Sequence, residues 1–127
     1  MARTTGDFTA ADLDFLTERH LGTLTTLRAD RTPHVVAIAF TYDDGFVSII
    51  SSDGTRKIVN IEERTRAVVC QVDGRRWLAL EGDAEVLRDP AAVAEGERLF
   101  EQRYRPVREN PDRVVIRFAV DRVLGKA

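Results

Sequence analysis

Cysteine is almost absent from this chain of 127 residues, in which Cys70 is the only one. A single cysteine excludes an internal disulfide framework and is typical of a protein in a reducing cytoplasm. Because Cys70 stands in the apolar segment 67–72 with no obvious base beside it, we expect a small buried strand residue and not a nucleophile. One cysteine and two histidines, scattered along the chain, also provide no ligand set for a metal.

The chain also lacks a charge excess and a long apolar segment. Its 19 basic and 21 acidic residues give a formal net charge of -2, so we expect no surface for a nucleic acid. No apolar run approaches the length that spans a membrane, and the N-terminal residues carry no apolar signal-peptide region. These features predict one soluble cytoplasmic domain over residues 1–127, with neither a nucleic-acid nor a membrane partner.

Motifs for catalysis and nucleotide binding are missing as well. The sequence has no G-x-G-x-x-G loop, no P-loop and no recognisable spacing of Ser, His and Asp. It therefore assigns no catalytic acid or base. An enzyme of this kind would take its reactivity from a cofactor, to which the protein contributes position and electrostatics.

The most informative stretch that is present is a strand running into a helix through small hydroxyl residues. Residues 46–50 are mostly β-branched or aromatic and follow an Asp-Asp-Gly turn, and Thr55 can cap a helix beginning at Arg56. Such a helix start has free backbone N–H groups and positive potential, which suits a phosphate. An ordinary solvated helix start is the alternative. The side chains that would add hydroxyl donors or charge are Ser51, Ser52, Thr55, Arg56 and Lys57.

The remaining pattern predicts an α+β fold. Short strands joined by tight turns and interrupted by three helices indicate a six-stranded antiparallel β-barrel that closes on itself to hide its edges. Asp89 and Pro90 predict the start of the third helix, since they suit its N-cap and its first residue. The expected strands cover residues 21–28, 34–40, 46–50, 66–73, 76–87 and 114–121, and the expected helices cover 9–19, a segment from 56, and 90–104.

Two of these strands bear on function. Residues 34–40 are apolar almost throughout, which predicts a strand covered on both faces. The small residues Ala37 and Ala39 could alternatively let a flat ligand lie against its backbone. Alternation along 76–87 places Trp77 on the more polar face, where a Trp usually covers a barrel rim or a subunit interface and less often shapes a ligand pocket.

Four blocks of the chain, in this order, resemble a known family. They are PHVVAIAF at 33–40, TRKIVNI at 55–61, VCQVDG at 69–74 and WLALEG at 77–82. They are similar to the pyridoxamine-phosphate-oxidase-like split β-barrel family, and within it to the branch that uses the deazaflavin coenzyme F420 and reduces biliverdin. The resemblance extends from Leu13 to Gly125.

The resemblance implies a homodimer with two cofactor sites at the subunit interface. The backbone of one strand would lie along the deazaflavin ring, the helix start would hold the phosphate and the acidic tail of the cofactor, and two residues would approach from the partner subunit. The residues implied along the ring are His34, Val35, Val36, Ala37 and Ile38. Those implied at the phosphate and the acidic tail are Ser51, Ser52, Thr55, Arg56 and Lys57. Those implied from the partner subunit are Trp77 and Leu78.

The activity implied by the resemblance is an F420-dependent reductase. Reduced F420 would pass a hydride to a conjugated substrate, for which a bilin, reduced from biliverdin to bilirubin, is the first expectation. An FMN-dependent oxidase or reductase is an alternative, because a phosphate site does not separate FMN from F420. A cofactor carrier without turnover is another alternative. The substrate pocket would be built from two chains and from loops such as 105–112.

Overall fold

The computed structural model of the chain describes residues 3–127. Within that range it contains a 3-10 turn at Thr5–Asp7 and three helices, α1 at Ala10–Thr17, α2 at Arg56–Glu63 and α3 at Pro90–Arg103. The eight strands are β1 Gly22–Leu27, β2 Pro33–Ile38, β3 Thr41–Asp43, β4 Phe46–Ser52, β5 Arg66–Asp73, β6 Arg76–Leu87, β7 Arg113–Ala119 and β8 Arg122–Lys126.

The helices begin where the capping residues predict. The Thr9 hydroxyl accepts a hydrogen bond from the Asp12 N–H at 3.1 Å, and the Asp12 carboxylate accepts one from the Thr9 N–H at 3.0 Å. At α3, Asp89 accepts from the Ala92 N–H at 3.0 Å and Pro90 is the first helical residue. None of the helices within residues 3–127 is long and apolar enough to cross a membrane.

All strand pairs are antiparallel, in the order β2-β1-β5-β6-β7-β4-β3, with β8 attached to β6. The long strand β6 joins the two parts of the sheet, because its first half pairs with β5 and β8 while residues 84–87 pair with β7. The apolar side of this bent sheet encloses the core, and α2 closes one end of it with Ile58 and Ile61, both almost fully buried.

The structure corrects the predicted six-stranded closed barrel. The sheet has eight strands, seven of them along the path, and the path is open, since β2 and β3 at its two ends do not pair with each other. The strands that sequence reasoning misses are β3 and β8. The first has three residues and forms a hairpin across Asp44 and Gly45, both at positive φ. The second contains Gly125, also at positive φ, which interrupts the apolar alternation.

The prediction that strand 34–40 is covered on both faces is also wrong. The strand ends at Ile38, lies at one end of the sheet and has a buried pattern on one side only. Val35 on its outer side is 56% exposed. Among residues 3–127, no helix, strand or loop packs against the outer face of this strand.

Candidate functional site

The candidate site lies where β4 ends and α2 begins. After Ser52 the chain turns through Asp53 and Gly54, whose φ of 77° favours glycine, and α2 starts at Arg56 with Thr55 as N-cap. The predicted strand–turn–helix is therefore confirmed. The Thr55 hydroxyl, however, donates to the Ser52 carbonyl at 3.0 Å and does not cap the helix. The first backbone N–H groups of α2 thus have no side-chain cap from Thr55 and are open to a ligand.

A cavity of about 290 Å³ opens at this helix start. It brings together the three predicted hydroxyl residues and Lys57, whereas Arg56 is exposed and is not part of its wall. A small cavity walled by hydroxyl groups, a helix start and a cation has the donors that an anion requires. The wall consists of Ile50, Ser51, Ser52, Thr55, Lys57, Asn110 and Arg113.

Sequence reasoning misses two residues of this wall, Asn110 and Arg113. Asn110 Nδ2 donates to Ser52 Oγ at 2.8 Å, and Arg113 lies opposite Ser52 in the β4–β7 pairing. The loop 105–112, which the sequence marks as a possible pocket wall, brings Asn110 here. Arg113 could have been found only from the register of β7 on β4, because antiparallel pairing sets the first residue of one strand against the last residue of the other.

Lys57 is the unbalanced charge of the cavity. Its side chain is half-buried, and among residues 3–127 its ammonium makes no ion pair or hydrogen bond. Burial lowers its pKa. Arg113 differs, because its guanidinium donates to Glu97 Oε2 at 2.6 Å and to the Arg108 carbonyl at 2.8 Å. An anion in this cavity would therefore find in Lys57 a positive charge not already neutralised.

The strand β2 offers its backbone next to this region. Its outer edge has no partner strand among residues 3–127, so the backbone N–H and C=O groups of alternate residues point away from β1. Apart from Pro33, whose carbonyl accepts from Arg28 at 2.6 Å, these groups are open to a ligand. The side chains of His34, Val36 and Ile38 face inward, and those of Val35 and Ala37 are exposed on the other side. The arrangement is compatible with the flat ligand expected along residues 34–38.

Trp77 and Leu78 do not meet the α2 cavity within one chain. Trp77 is 42% exposed and borders a separate cavity near Gly125 and Ala127. The Leu78 side chain is 1% exposed and belongs to the core of its own chain. The Leu78 backbone is paired on both sides, opposite Gln71 of β5 and Gly125 of β8. Trp77 could reach the α2 cavity only from a second copy of the chain.

One face of the sheet, formed by the outer sides of β2, β1, β5, β6 and β8, has no cover among residues 3–127. We call it the open sheet face. A cross-strand row runs along it through Ala37, Thr23, Cys70, Ala79 and Leu124. Cys70, expected to be buried, is half-buried here, and burial raises the pKa of its thiol. The large apolar side chains exposed on this face are Val35, Val72, Trp77 and Leu124.

A second polar cluster lies away from the α2 cavity, where Glu18, His20 and Asp73 bring their side-chain ligand atoms within 4.8 Å of one another. Arg76 already binds this cluster, with 2.9 Å to Glu18 and 2.5 Å to Asp73. Hydrogen bonds from Arg76 and His20 lower the Glu18 pKa to about 2. Since a guanidinium provides the positive charge, the cluster is explained as a surface ion-pair network.

Comparison with known proteins matches the chain to a family and to a relative. The family described as pyridoxamine 5'-phosphate oxidase matches residues 8–127. An F420H(2)-dependent biliverdin reductase of Mycobacterium tuberculosis (strain CDC 1551 / Oshkosh) is 50% identical over 129 residues, covering 100% of this chain and 94% of that protein.

Solved structures share the fold. A structure of an F420 reductase superposes with a TM-score of 0.77 at 25% identity, covering 91% of this chain and 98% of that one. General Stress Protein 26 from Bacillus anthracis str. Sterne reaches a TM-score of 0.72 at 22% identity, covering 89% of this chain and 88% of that one. The second likeness concerns the fold alone.

Proposed function

Because this chain belongs to the pyridoxamine 5'-phosphate oxidase family, we propose that it is a cytoplasmic F420-dependent reductase that converts biliverdin to bilirubin. The 50% identity with an F420H(2)-dependent biliverdin reductase, over the full chain, supports this activity. F420 supplies the hydride when it is bound. The protein supplies binding, orientation and exclusion of water, which are the contributions expected of a chain without its own acid, base or metal.

The observation that carries the proposal is the half-buried, unpartnered ammonium of Lys57 in the α2 cavity. F420 contains a phosphate, and a phosphate at this position would accept hydrogen bonds from Lys57, from the hydroxyls of Ser51 and Ser52 and from the N–H groups of the α2 start. Thr55 and Arg56 complete the set that we assign to the phosphate and the acidic tail. The backbone of residues 34–38 would lie along the ring.

A homodimer is part of the proposal, because Trp77, with Leu78 beside it, would approach the site from a second copy. The open sheet face, with Val72 61% exposed and Trp77 42% exposed, is the surface that a second copy would cover. In light scattering we expect a dimer, and Val72→Asp should give monomers with weakened F420 binding. Leu13→Asp, at a residue 43% exposed on α1, is the matched control and should remain dimeric. A wild-type monomer that binds F420 normally would contradict the two-chain site.

Cofactor choice is tested by titrating F420 and FMN separately into the purified protein and following their fluorescence. F420 should bind more tightly, since the close relative uses F420. Tighter binding of FMN would favour the FMN-dependent oxidase or reductase, and binding of neither would remove the cofactor assignment.

Turnover separates the reductase from a carrier. Reduced F420 should be oxidised when biliverdin is added, and bilirubin should appear in equal amount by absorbance. The carrier alternative would be favoured if F420 bound well but was not oxidised in the presence of bilins, quinones or nitro compounds.

A further inference from the structure

His34 is a polar residue of β2 that the fold does not explain. It lies opposite Thr26 of β1, and Thr26 Oγ1 accepts a hydrogen bond from Asn60 Nδ2 at 3.1 Å. Two buried polar atoms in this cluster, His34 Nδ1 and Asn60 Oδ1, have no hydrogen-bond partner among residues 3–127. Buried polar atoms are nearly always paired, so two orphans on either side of one threonine require a reason.

The other ring nitrogen of His34 is differently placed. The imidazole makes no hydrogen bond among residues 3–127, and Nε2 is not among the buried atoms that lack a partner. The Nε2 edge is therefore accessible from outside while the Nδ1 edge faces the interior. A proton on Nδ1 would be a buried N–H without an acceptor, so the free protein favours the neutral ring with its proton on Nε2.

The charged groups that act on this ring from the neighbouring elements are all cations. They are Arg28, in the turn after β1, and Arg56 and Lys57 at the start of α2. Burial and then these three charges lower the His34 pKa. None of the three is bound to a carboxylate within 4.0 Å among residues 3–127. The cluster thus has the charges of an anion site without the anion.

We propose that His34 is a ligand-contacting residue that takes up a proton when an anionic ligand binds, donating from Nε2 to an oxygen of the ligand and, after a shift of the ring, from Nδ1 to Asn60 Oδ1, which Nδ1 does not reach in the free protein. One event then provides partners for both orphaned atoms. The inference rests on the proposed function for the identity of the ligand, F420, whose phosphate and tail are anionic. The shared chemistry is an anionic oxygen, and sulfate is a probe for it whose charge does not change across the neutral range.

The sign of the pH dependence follows. Since the bound anion favours the imidazolium, F420 binds best at low pH, and its affinity falls as the pH rises through the His34 midpoint in the complex. One proton limits the fall to about tenfold per pH unit. His34→Gln keeps a polar amide that does not titrate, so its F420 affinity should change less with pH than that of the wild type.

NMR tests the proposal directly, because the chain has two histidines and His20→Gln and His34→Gln assign them. Imidazole signals are followed against pH in the free protein, with saturating F420 and, separately, with sulfate. The His34 midpoint should move to higher pH with either anion. Adding either anion at a given pH should leave the signals of His20, beside Glu18, unchanged. The neutral form should show the Nε2–H tautomer in its 15N shifts.

The outcomes separate this inference from the proposed function. If F420 binds by fluorescence but leaves the His34 midpoint unchanged or lower, the inference is wrong and the function stands. If F420 does not bind but sulfate raises the midpoint, the inference stands and the cofactor assignment fails. If neither anion raises the midpoint, the inference is wrong whether or not F420 binds.

Discussion

Arg103 and Lys57 are both positive charges removed at least partly from water, but the chain treats them differently. Arg103 is 7% exposed, and its guanidinium donates to the carbonyls of Glu18 at 2.8 Å and Phe40 at 2.7 Å and to the amide oxygen of Gln71. Lys57 is half-buried and has no such partner among residues 3–127. Burial lowers the pKa of both groups. A charge whose partners are all internal joins elements of the fold, whereas a charge without one is available to a ligand.

The positions of the two residues agree with this difference. Arg103 is the last residue of α3 and ties it to the end of α1, to the segment after β2 and to β5. Lys57 is in the first turn of an eight-residue helix beside an open cavity. Partial exposure keeps the cost of its ammonium small in the free protein, and an arriving anion would turn the charge into binding free energy.

The largest effect is expected from Arg103→Met. The variant leaves the Glu18 carbonyl and the Gln71 amide oxygen without their donor, whereas the Phe40 carbonyl keeps the Tyr104 hydroxyl at 2.7 Å. Each buried orphan costs about 1–3 kcal/mol. We expect a loss of about 3 kcal/mol or more in the free energy of unfolding, measured with urea. Arg98→Met, at an exposed arginine on the same helix, should stay within about 0.5 kcal/mol of the wild type. Equal stability of the two variants would contradict the role given to Arg103.

The contrast between these residues also shows what the sequence can predict. The strand–turn–helix at Thr55 and the bounds of β5, β6 and α3 follow from local alternation and capping signals, and the structure has them within a residue or two. Arg103 could not be predicted as buried, because an arginine at the end of a helix ordinarily lies in solvent. Arg113 could not be placed in the cavity, because its position depends on the register of β7 on β4.

The sequence also does not predict which faces of a strand are covered by other parts of the chain. The apolar composition of residues 34–40 leads to the wrong prediction of a strand covered on both faces, because composition does not say whether a cover comes from the same chain. The three-residue strand β3 likewise has too few positions for an alternation to be visible.

For the other residue of the comparison, Lys57→Met should weaken cofactor binding and leave the fold stable. Hydrogen bonds to charged groups contribute about 1.5–3 kcal/mol, so F420 affinity should fall roughly ten- to a hundredfold. The free energy of unfolding should stay within about 0.5 kcal/mol or rise, because an unpartnered ammonium is removed and the aliphatic stem is kept. Lys57→Arg should retain most of the affinity, and Arg98→Met should retain all of it. Unchanged affinity in Lys57→Met would contradict the phosphate site and favour the alternative, an ordinary solvated helix start.

Asp12 is an acidic counterpart of Arg103, and the pH dependence of unfolding tests how much its ionised carboxylate stabilises the fold. Its fully buried carboxylate is bound by Arg3 at 2.7 Å and by the N–H groups of Thr9 at 3.0 Å and Ala127 at 2.9 Å. Burial alone would raise its pKa, but these hydrogen bonds outweigh burial and lower the pKa from 3.8 to about 2.

Because the folded-state pKa of Asp12 is depressed, its stabilisation is complete above the unfolded value and disappears as the pH falls from about 4 to about 2. We expect Asp12→Asn to lose about 2 kcal/mol of unfolding free energy at neutral pH. Urea unfolding at a series of pH values should show the two proteins converging toward pH 2. A constant difference at all pH values would mean that the variant acts through packing and not through charge.

The smallest effect is expected from Arg56→Met, which tests whether burial is what separates a binding charge from a surface charge. Arg56 is next to Lys57 in the chain, but it is exposed and lies outside the wall of the α2 cavity. Water and salt screen an exposed guanidinium, so we expect F420 affinity to fall only about two- to fivefold. Raising the salt concentration should remove most of the difference between Arg56→Met and the wild type, because the lost attraction is a screened one. The difference between Lys57→Met and the wild type should persist in high salt, since the half-buried ammonium is less screened. A loss in Arg56→Met as large as in Lys57→Met, and equally resistant to salt, would contradict burial as the property that separates the two charges, because the exposed Arg56 would then hold the ligand as strongly as Lys57.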